Sequence, residues 1–142
     1  MIPSNMRFLG LDYGSRYIGV AISDDQGRIA VPKDVWENTS HQEIQKKIAE
    51  VIHKEAIMSI IVGLPVRLDG KATAQTQATQ KFIVWLQSIV KIPIATMDER
   101  LTTKLSTAYQ KKNYKKQKRP DAHAAQIILQ NYLDKQCPSS VL

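Results

Sequence analysis

Cysteine and long apolar runs are both scarce in this chain of 142 residues. The one cysteine, Cys137, excludes an internal disulfide and a cysteine-based zinc site, and it is typical of a reducing compartment such as the cytoplasm. No stretch approaches the roughly 20 apolar residues that cross a bilayer, and the N-terminus lacks the apolar core of a signal peptide. The serines have no nearby histidine and aspartate arrangement, so nothing supports a serine hydrolase. We therefore expect a cytoplasmic protein with no membrane partner.

Positive charge, by contrast, is in excess: 20 Lys+Arg against 13 Asp+Glu give a net charge of +7. The size and the hydrophobic content of 43% predict one domain, residues 1–142, with a real core. Part of the excess lies in one stretch that contains no acid, and its members are Lys111, Lys112, Lys115, Lys116, Lys118 and Arg119. Such a cluster either binds phosphates or forms a solvated loop, and composition alone leaves both readings open.

Hydrophobic periodicity predicts an antiparallel meander followed by strands that alternate with helices. The predicted strands are Phe8–Asp12, Tyr17–Ser23, Arg28–Val31, Ile57–Val62 and Ile92–Met97. The predicted helices are His41–Lys54, Thr73–Val90, Leu101–Lys112 and Asp121–Leu133. Pro32 is expected to stop the third strand, Thr39 or Ser40 to cap the first helix, and Ala124, Ile127, Ile128 and Leu129 to face inward from the last. This order indicates a mixed α/β sheet with helices packed on it.

Four carboxylates stand at the ends of these elements. Asp12 ends the first predicted strand, Asp98 and Glu99 follow the last one, and Asp121 opens the final helix. Sites in open α/β sheets lie beyond the carboxyl ends of the strands, so the acids converge if the first and last strands are neighbours. Oxygen ligands select Mg²⁺ or Mn²⁺, and two such ions hydrolyse phosphodiesters. Each acid alone is more often a turn, a cap or a macrodipole partner, whereas their combination favours a metal site.

Four blocks in this order resemble the YqgF/RuvX family: LGLDYGSRYIGVAISD, IIVGLPVRLDG, MDERLTT and PDAHAAQIILQNYLD. The family is bacterial, has a ribonuclease H-like fold and is related to the Holliday-junction resolvase RuvC. The resemblance implies a five-stranded mixed sheet and a nuclease that matures the 5′ end of pre-16S ribosomal RNA. It also implies a structured-RNA partner, within a ribosomal precursor particle. Some members are described as junction resolvases, which makes branched DNA the alternative substrate.

The resemblance also implies roles for individual residues. Asp12 would bridge two Mg²⁺ or Mn²⁺ ions, while Glu99 and Asp121 would each hold one. Glu99 is favoured over Asp98, although strand alternation in the sequence does not separate the two. The phosphate-gripping residues would be Arg16, Arg100, Lys115, Lys116, Lys118 and Arg119.

Two features leave questions open. The loop after Gly63-Leu64-Pro65 reads VRLDGKAT, where the family usually carries an asparagine and a second glycine, so its substrate contacts are in doubt. The block LDYGSRYIGVAIS also resembles the first phosphate loop of actin-like and sugar-kinase ATP-binding proteins, but those proteins need two such domains to enclose a nucleotide.

A non-catalytic RNA-binding module is a third hypothesis, beside the nuclease and the ATP-binding protein, and it leaves the acids unexplained. No sequence feature separates a monomer from a homodimer.

Overall fold

A five-stranded mixed sheet forms the centre of the protein in a computed structural model, which describes residues 6–98 and 122–136. Its strands are β1 (Arg7–Tyr13), β2 (Tyr17–Ser23), β3 (Ala30–Glu37), β4 (Ile57–Leu64) and β5 (Ile94–Asp98). The described helices are α1 (His41–Glu55), α2 (Ala74–Ile89) and α3 (His123–Gln136). The helix predicted over residues 101–112 lies outside the described residues. No helix in the described ranges is long and apolar enough to cross a membrane.

The strands lie in the order β3-β2-β1-β4-β5. The pairs β1–β2 and β2–β3 are antiparallel, while β1–β4 and β4–β5 are parallel. An antiparallel meander extended by parallel strands is the predicted fold class, which is confirmed. The first and last strands are not direct neighbours, because β4 lies between them. Adjacent strands are about 4.8 Å apart, so the carboxyl ends of β1 and β5 are separated by roughly 10 Å.

Each face of the sheet has its own core. One face packs Leu9 and Leu11 of β1 against the apolar stripes of α1 and α2, including Ile48 and Leu86. The other face packs against α3, whose buried residues are Ala125, Ile128, Leu129 and Leu133. Because successive side chains of a strand point to opposite faces, this division assigns every strand residue to one helix layer or the other.

The prediction that Pro32 stops the third strand was wrong. The strand β3 begins at Ala30 and continues through Pro32 to Glu37. It is an edge strand, where a residue without a backbone N–H is tolerated. Pairing shifts between Val20 and Ala21, which face Asp34 and Pro32, so Lys33 is an extra residue that the ladder accommodates as a bulge.

The inward face of the last helix also differs from the prediction. Ala125, Ile128, Leu129 and Leu133 are buried, whereas Ala124 and Ile127 are only partly buried. The reason is a close approach to β1, since a Cβ added to Gly10 would lie 2.8 Å from Leu129 Cβ and 3.2 Å from the Ala125 carbonyl oxygen. The glycine lets the helix backbone sit directly on the strand, and that contact sets the rotation of α3.

The helices α1 and α2 both begin at the carboxyl edge of the sheet, and both N-termini are capped. Ser40 is the N-cap of α1, and its hydroxyl accepts a hydrogen bond from the backbone N–H of Glu43. Thr73 caps α2, and its hydroxyl and that of Thr76 bond reciprocally to the backbone. These caps satisfy otherwise orphaned N–H groups. Both helices are therefore anchored beside the carboxyl ends of β1 and β4.

Candidate nuclease site

Asp12 lies next to the last residue of β1, at the carboxyl edge of the sheet. Phe8 and Gly10 face α3, so alternation places Asp12 on the same face. Its cross-strand partner in β2 is Gly19. On the other side, Leu11 pairs with Val62 of β4, which brings Gly63 alongside Asp12 by continuation of the register. Glycines on both flanking strands leave the carboxylate without neighbouring side chains in its own row.

The carboxyl group of Asp12 is partly buried, and burial raises its pKa from 3.8 to about 6. Desolvation disfavours the charged form, and no cationic side chain of the described residues offsets it. A desolvated carboxylate at the carboxyl edge of the sheet, with no cationic side chain among residues 6–98 and 122–136 to offset its charge, fits a divalent cation as its partner. The sequence identified this residue, but its electrostatic state depends on the packing of α3 and β4.

Asp98 ends β5 on the opposite face of the sheet from Asp12. Met97 packs with the α3 core, and Ile94 packs with the core under α1 and α2. Alternation from these two residues directs Asp98, which is exposed, toward the α2 side. The structure therefore separates Asp98 and Asp12 by face as well as by the intervening strand. This distinction was invisible in the sequence, because the inward residues of β5 were not known.

The turn after Asp12 carries Arg16, which is exposed and lies over the ring of Tyr17 at 5.6 Å. This turn is held from two sides. Asn38, just beyond β3, donates from its backbone N–H to the Arg16 carbonyl at 2.9 Å and from its side-chain amide to the Gly14 carbonyl at 3.0 Å. From α2, the Gln75 amide donates to the Tyr13 carbonyl at 2.9 Å.

Asn38 and Gln75 were missed in the sequence. Neither belongs to a motif, and an isolated amide side chain gives no signal for a contact with a residue 24 or 62 positions away. By bonding three of the carbonyl oxygens between positions 13 and 16, they fix the backbone that presents Arg16 at the same edge as Asp12. A glycine is required within this turn, since a Cβ on Gly14 would lie 2.6 Å from the Tyr17 carbonyl oxygen.

All the other predicted site residues lie outside the described ranges: Glu99, Arg100, Lys115, Lys116, Lys118, Arg119 and Asp121. Within residues 6–98 and 122–136, no three histidine, cysteine or acidic side chains form a metal-binding group. The described part of the candidate site therefore consists of Asp12, the turn that carries Arg16 and the loop after β4, all at the carboxyl edge of the sheet.

A strand meander continued by parallel strands, with helices on both faces of the sheet, is the arrangement of the ribonuclease H-like fold. Solved structures share this fold. The structure of T. thermophilus RuvC in complex with a Holliday junction substrate matches with a TM-score of 0.52 at 15% identity, covering 94% of this chain and 97% of that one. The fowlpox virus resolvase in complex with Holliday junction DNA matches with a TM-score of 0.56 at 10% identity, covering 93% and 99%.

Sequence comparison identifies the family. The family model described as "RuvX: Holliday junction resolvase" matches residues 6–135, and the chain belongs to this family. A relative from Thermoanaerobacter pseudethanolicus is 39% identical over 92% of this chain and 98% of its own length. Another, from Maridesulfovibrio salexigens, is 34% identical over 90% and 98%. Both relatives carry the name "Putative pre-16S rRNA nuclease". The resemblance inferred from the four sequence blocks is confirmed.

Proposed function

We propose that this protein is a divalent-metal-dependent endonuclease that hydrolyses phosphodiester bonds at the 5′ end of precursor 16S ribosomal RNA. The observation that carries the proposal is full-length similarity to relatives named as pre-16S rRNA nucleases. The partly buried carboxylate of Asp12 at the carboxyl edge of the sheet, whose charge no cation of the described ranges offsets, supports it independently. On this proposal the partner is structured RNA, within a ribosomal precursor particle.

Asp12, Glu99 and Asp121 are the residues that would hold Mg²⁺ or Mn²⁺. Asp98 faces away from Asp12, which favours Glu99, its neighbour in sequence, as the second ligand. When bound, a pair of such ions lowers the pKa of water and stabilises the charge on the leaving oxygen. The carboxylate of Asp12 is ionised above its pKa of about 6, so it is ready to bind a cation at neutral pH.

The chain's own cationic groups would position the substrate. Arg16 sits on a turn whose carbonyls are bonded by Asn38 and Gln75, so its guanidinium approaches the edge from a fixed backbone. Arg100, Lys115, Lys116, Lys118 and Arg119 are proposed as further phosphate contacts. A guanidinium or ammonium next to a carboxylate centre attracts the polyanion that the carboxylates alone would repel.

Cleavage of branched DNA is the second candidate function, because the family model carries the description of a Holliday junction resolvase. A protein that cuts a four-way junction symmetrically favours a two-fold dimer, whereas processing of one RNA end requires only a monomer. The two functions therefore differ in substrate and in the assembly that acts on it.

Cleavage assays with both substrates distinguish the RNA-processing function from the resolvase function. The purified protein is incubated with a 5′-extended 16S precursor and a four-way DNA junction, in Mg²⁺ or Mn²⁺ and in EDTA. We expect metal-dependent cleavage of the RNA at the precursor boundary and weak or no cleavage of the junction. Preferential, symmetric cutting of the junction would select the resolvase function. Binding of RNA without cleavage in either metal would leave the protein as an RNA-binding module.

A further inference from the structure

A small hydrogen-bonded hairpin leaves the carboxyl end of β4, next to the strand that carries Asp12. It consists of residues 66–71. The Gly70 N–H donates to the Arg67 carbonyl at 2.8 Å, and the Arg67 N–H donates to the Lys71 carbonyl at 3.1 Å. Gly70 has a φ of 85°, in the left-handed region that glycine adopts without strain. This pattern is a three-residue hairpin loop closed by a left-handed glycine.

Side chains restrain the hairpin further. The Asp69 carboxylate accepts a hydrogen bond from the Lys71 N–H at 2.9 Å and forms an ion pair with Arg67 at 3.2 Å. At the base, the Thr76 hydroxyl in the first turn of α2 donates to the Pro65 carbonyl. The sequence around this loop departs from the usual family pattern, yet its own residues make it an ordered structure with a defined tip.

The tip carries one apolar side chain among charged ones, and it is open to solvent. Leu68 is 75% exposed, and Lys71, three residues further on, is exposed as well. In the part of the chain that the structure describes, the other exposed large hydrophobic side chains lie elsewhere: Ile29 and Val31 where β3 begins, Met58 where β4 begins, and Val84 on α2. Leu68 is thus the member of this set that lies at the candidate site's edge of the sheet.

The downstream end of the hairpin is tied to the site strand. Gln75, two residues beyond the Thr73 cap, donates its amide to the carbonyl of Tyr13, which directly follows Asp12. The hairpin and Asp12 thus share the carboxyl edge of the sheet, although α2 and the Asp12 side chain lie on opposite faces, so a nucleic acid that crosses this edge at Asp12 comes within reach of the hairpin. An exposed leucine with an exposed lysine three residues on is suited to contact an unstacked base and the adjacent phosphate.

We propose that Leu68 packs against an unstacked nucleobase of the substrate and that Lys71 contacts its phosphate. This inference rests on the proposed function, because it requires a nucleic acid at the Asp12 edge. On this proposal the hairpin recognises the point where a helical segment of the nucleic acid opens, and it takes no part in the cleavage chemistry. Because Leu68 is exposed, its replacement leaves the core untouched and isolates the effect on binding.

The test measures binding of the full chain to an RNA stem that carries an unpaired 2-aminopurine, a fluorescent base, where the helix meets the single strand. Ca²⁺ replaces Mg²⁺ so that the RNA is bound and not cleaved. The variants are Leu68→Ser and, as a matched control of similar exposure on α2, Val84→Ser. We expect Leu68→Ser to weaken the affinity about fivefold to thirtyfold and to abolish the fluorescence change on binding. Leu68→Met should restore both signals, and all variants should keep the parent's melting temperature.

Each outcome has a distinct meaning. If Leu68→Ser matches the parent in affinity and fluorescence while Asp12-dependent cleavage persists, the hairpin inference is wrong and the nuclease proposal stands. If Val84→Ser weakens binding as much as Leu68→Ser, the effect is general surface hydrophobicity and the hairpin inference is also wrong. If the parent binds neither this RNA nor a DNA junction, the proposed function itself is overturned, and the inference that rests on it is overturned too.

Discussion

Replacing Asp12 by asparagine should stabilise the metal-free protein at neutral pH. Burial raises the pKa of Asp12 from 3.8 to about 6 in the folded state, and this difference corresponds to at most about 3 kcal/mol. Because the folded state holds the proton more tightly, the parent's free energy of unfolding falls as the pH rises from about 4 to about 6. The asparagine variant does not titrate, so its advantage over the parent should grow through this interval and remain constant above it.

Urea denaturation in EDTA between about pH 3 and about pH 8 measures this difference and also covers the acid range in which the control titrates. Asp24→Asn provides a control of opposite sign. Burial raises the pKa of Asp24, but the hydrogen bonds it accepts from the backbone N–H groups of Ile29 and Arg28 lower it below its ordinary value overall. Asp24→Asn should therefore lose stability relative to the parent as the pH rises toward the ordinary value of 3.8, and the difference should stay nearly constant above that. A difference between Asp12→Asn and the parent that is independent of pH would refute the burial argument.

Three further predictions concern packing, the turn and charge. Gly10→Val should displace α3, because its Cβ would lie 2.8 Å from Leu129 Cβ, and should lower the unfolding free energy by about 1–3 kcal/mol in thermal denaturation. Asn38→Ala should speed amide exchange in the turn at Gly14 and weaken RNA binding severalfold. Ser59→Ala serves as the control: it removes a side-chain hydrogen bond to the Pro93 carbonyl near the start of β4, away from the site. It should change neither amide exchange at Gly14 nor RNA binding. RNA affinity should fall steeply with salt, and a flat response in a filter-binding titration would remove the basic residues from the interface.

The fold was largely predictable because its signals are local. The strand Tyr17–Ser23 has the predicted bounds, and Ser40 caps α1 as one of the two residues expected there. Pro32 was misread because its effect depends on whether the strand lies at an edge, and that is a property of the whole sheet. The rotation of α3 was misread because three consecutive apolar residues fit two helical faces, and contact with Gly10 decides between them.

The site was predictable only in part, because several of its properties depend on contacts between segments that are far apart in the sequence. The position of Asp12 at a strand end follows from hydrophobic pattern and turn residues. Its raised pKa requires the packing of the neighbouring strands and of α3, which no short segment specifies. The orientation of Asp98 depends on the inward residues of β5, and the amide contacts of Asn38 and Gln75 join positions far apart in the chain.

Single-turnover cleavage of the 16S precursor in Mn²⁺ tests the central claim most directly, using Asp12→Asn, Glu99→Gln, Asp121→Asn and Asp98→Asn. The account predicts that the first three variants lose roughly a hundredfold or more in rate, since each removes a proposed ligand. Asp98→Asn, whose side chain lies on the other face of the sheet, should cut within about threefold of the parent. Cleavage by Asp12→Asn at the parent's rate would contradict the account.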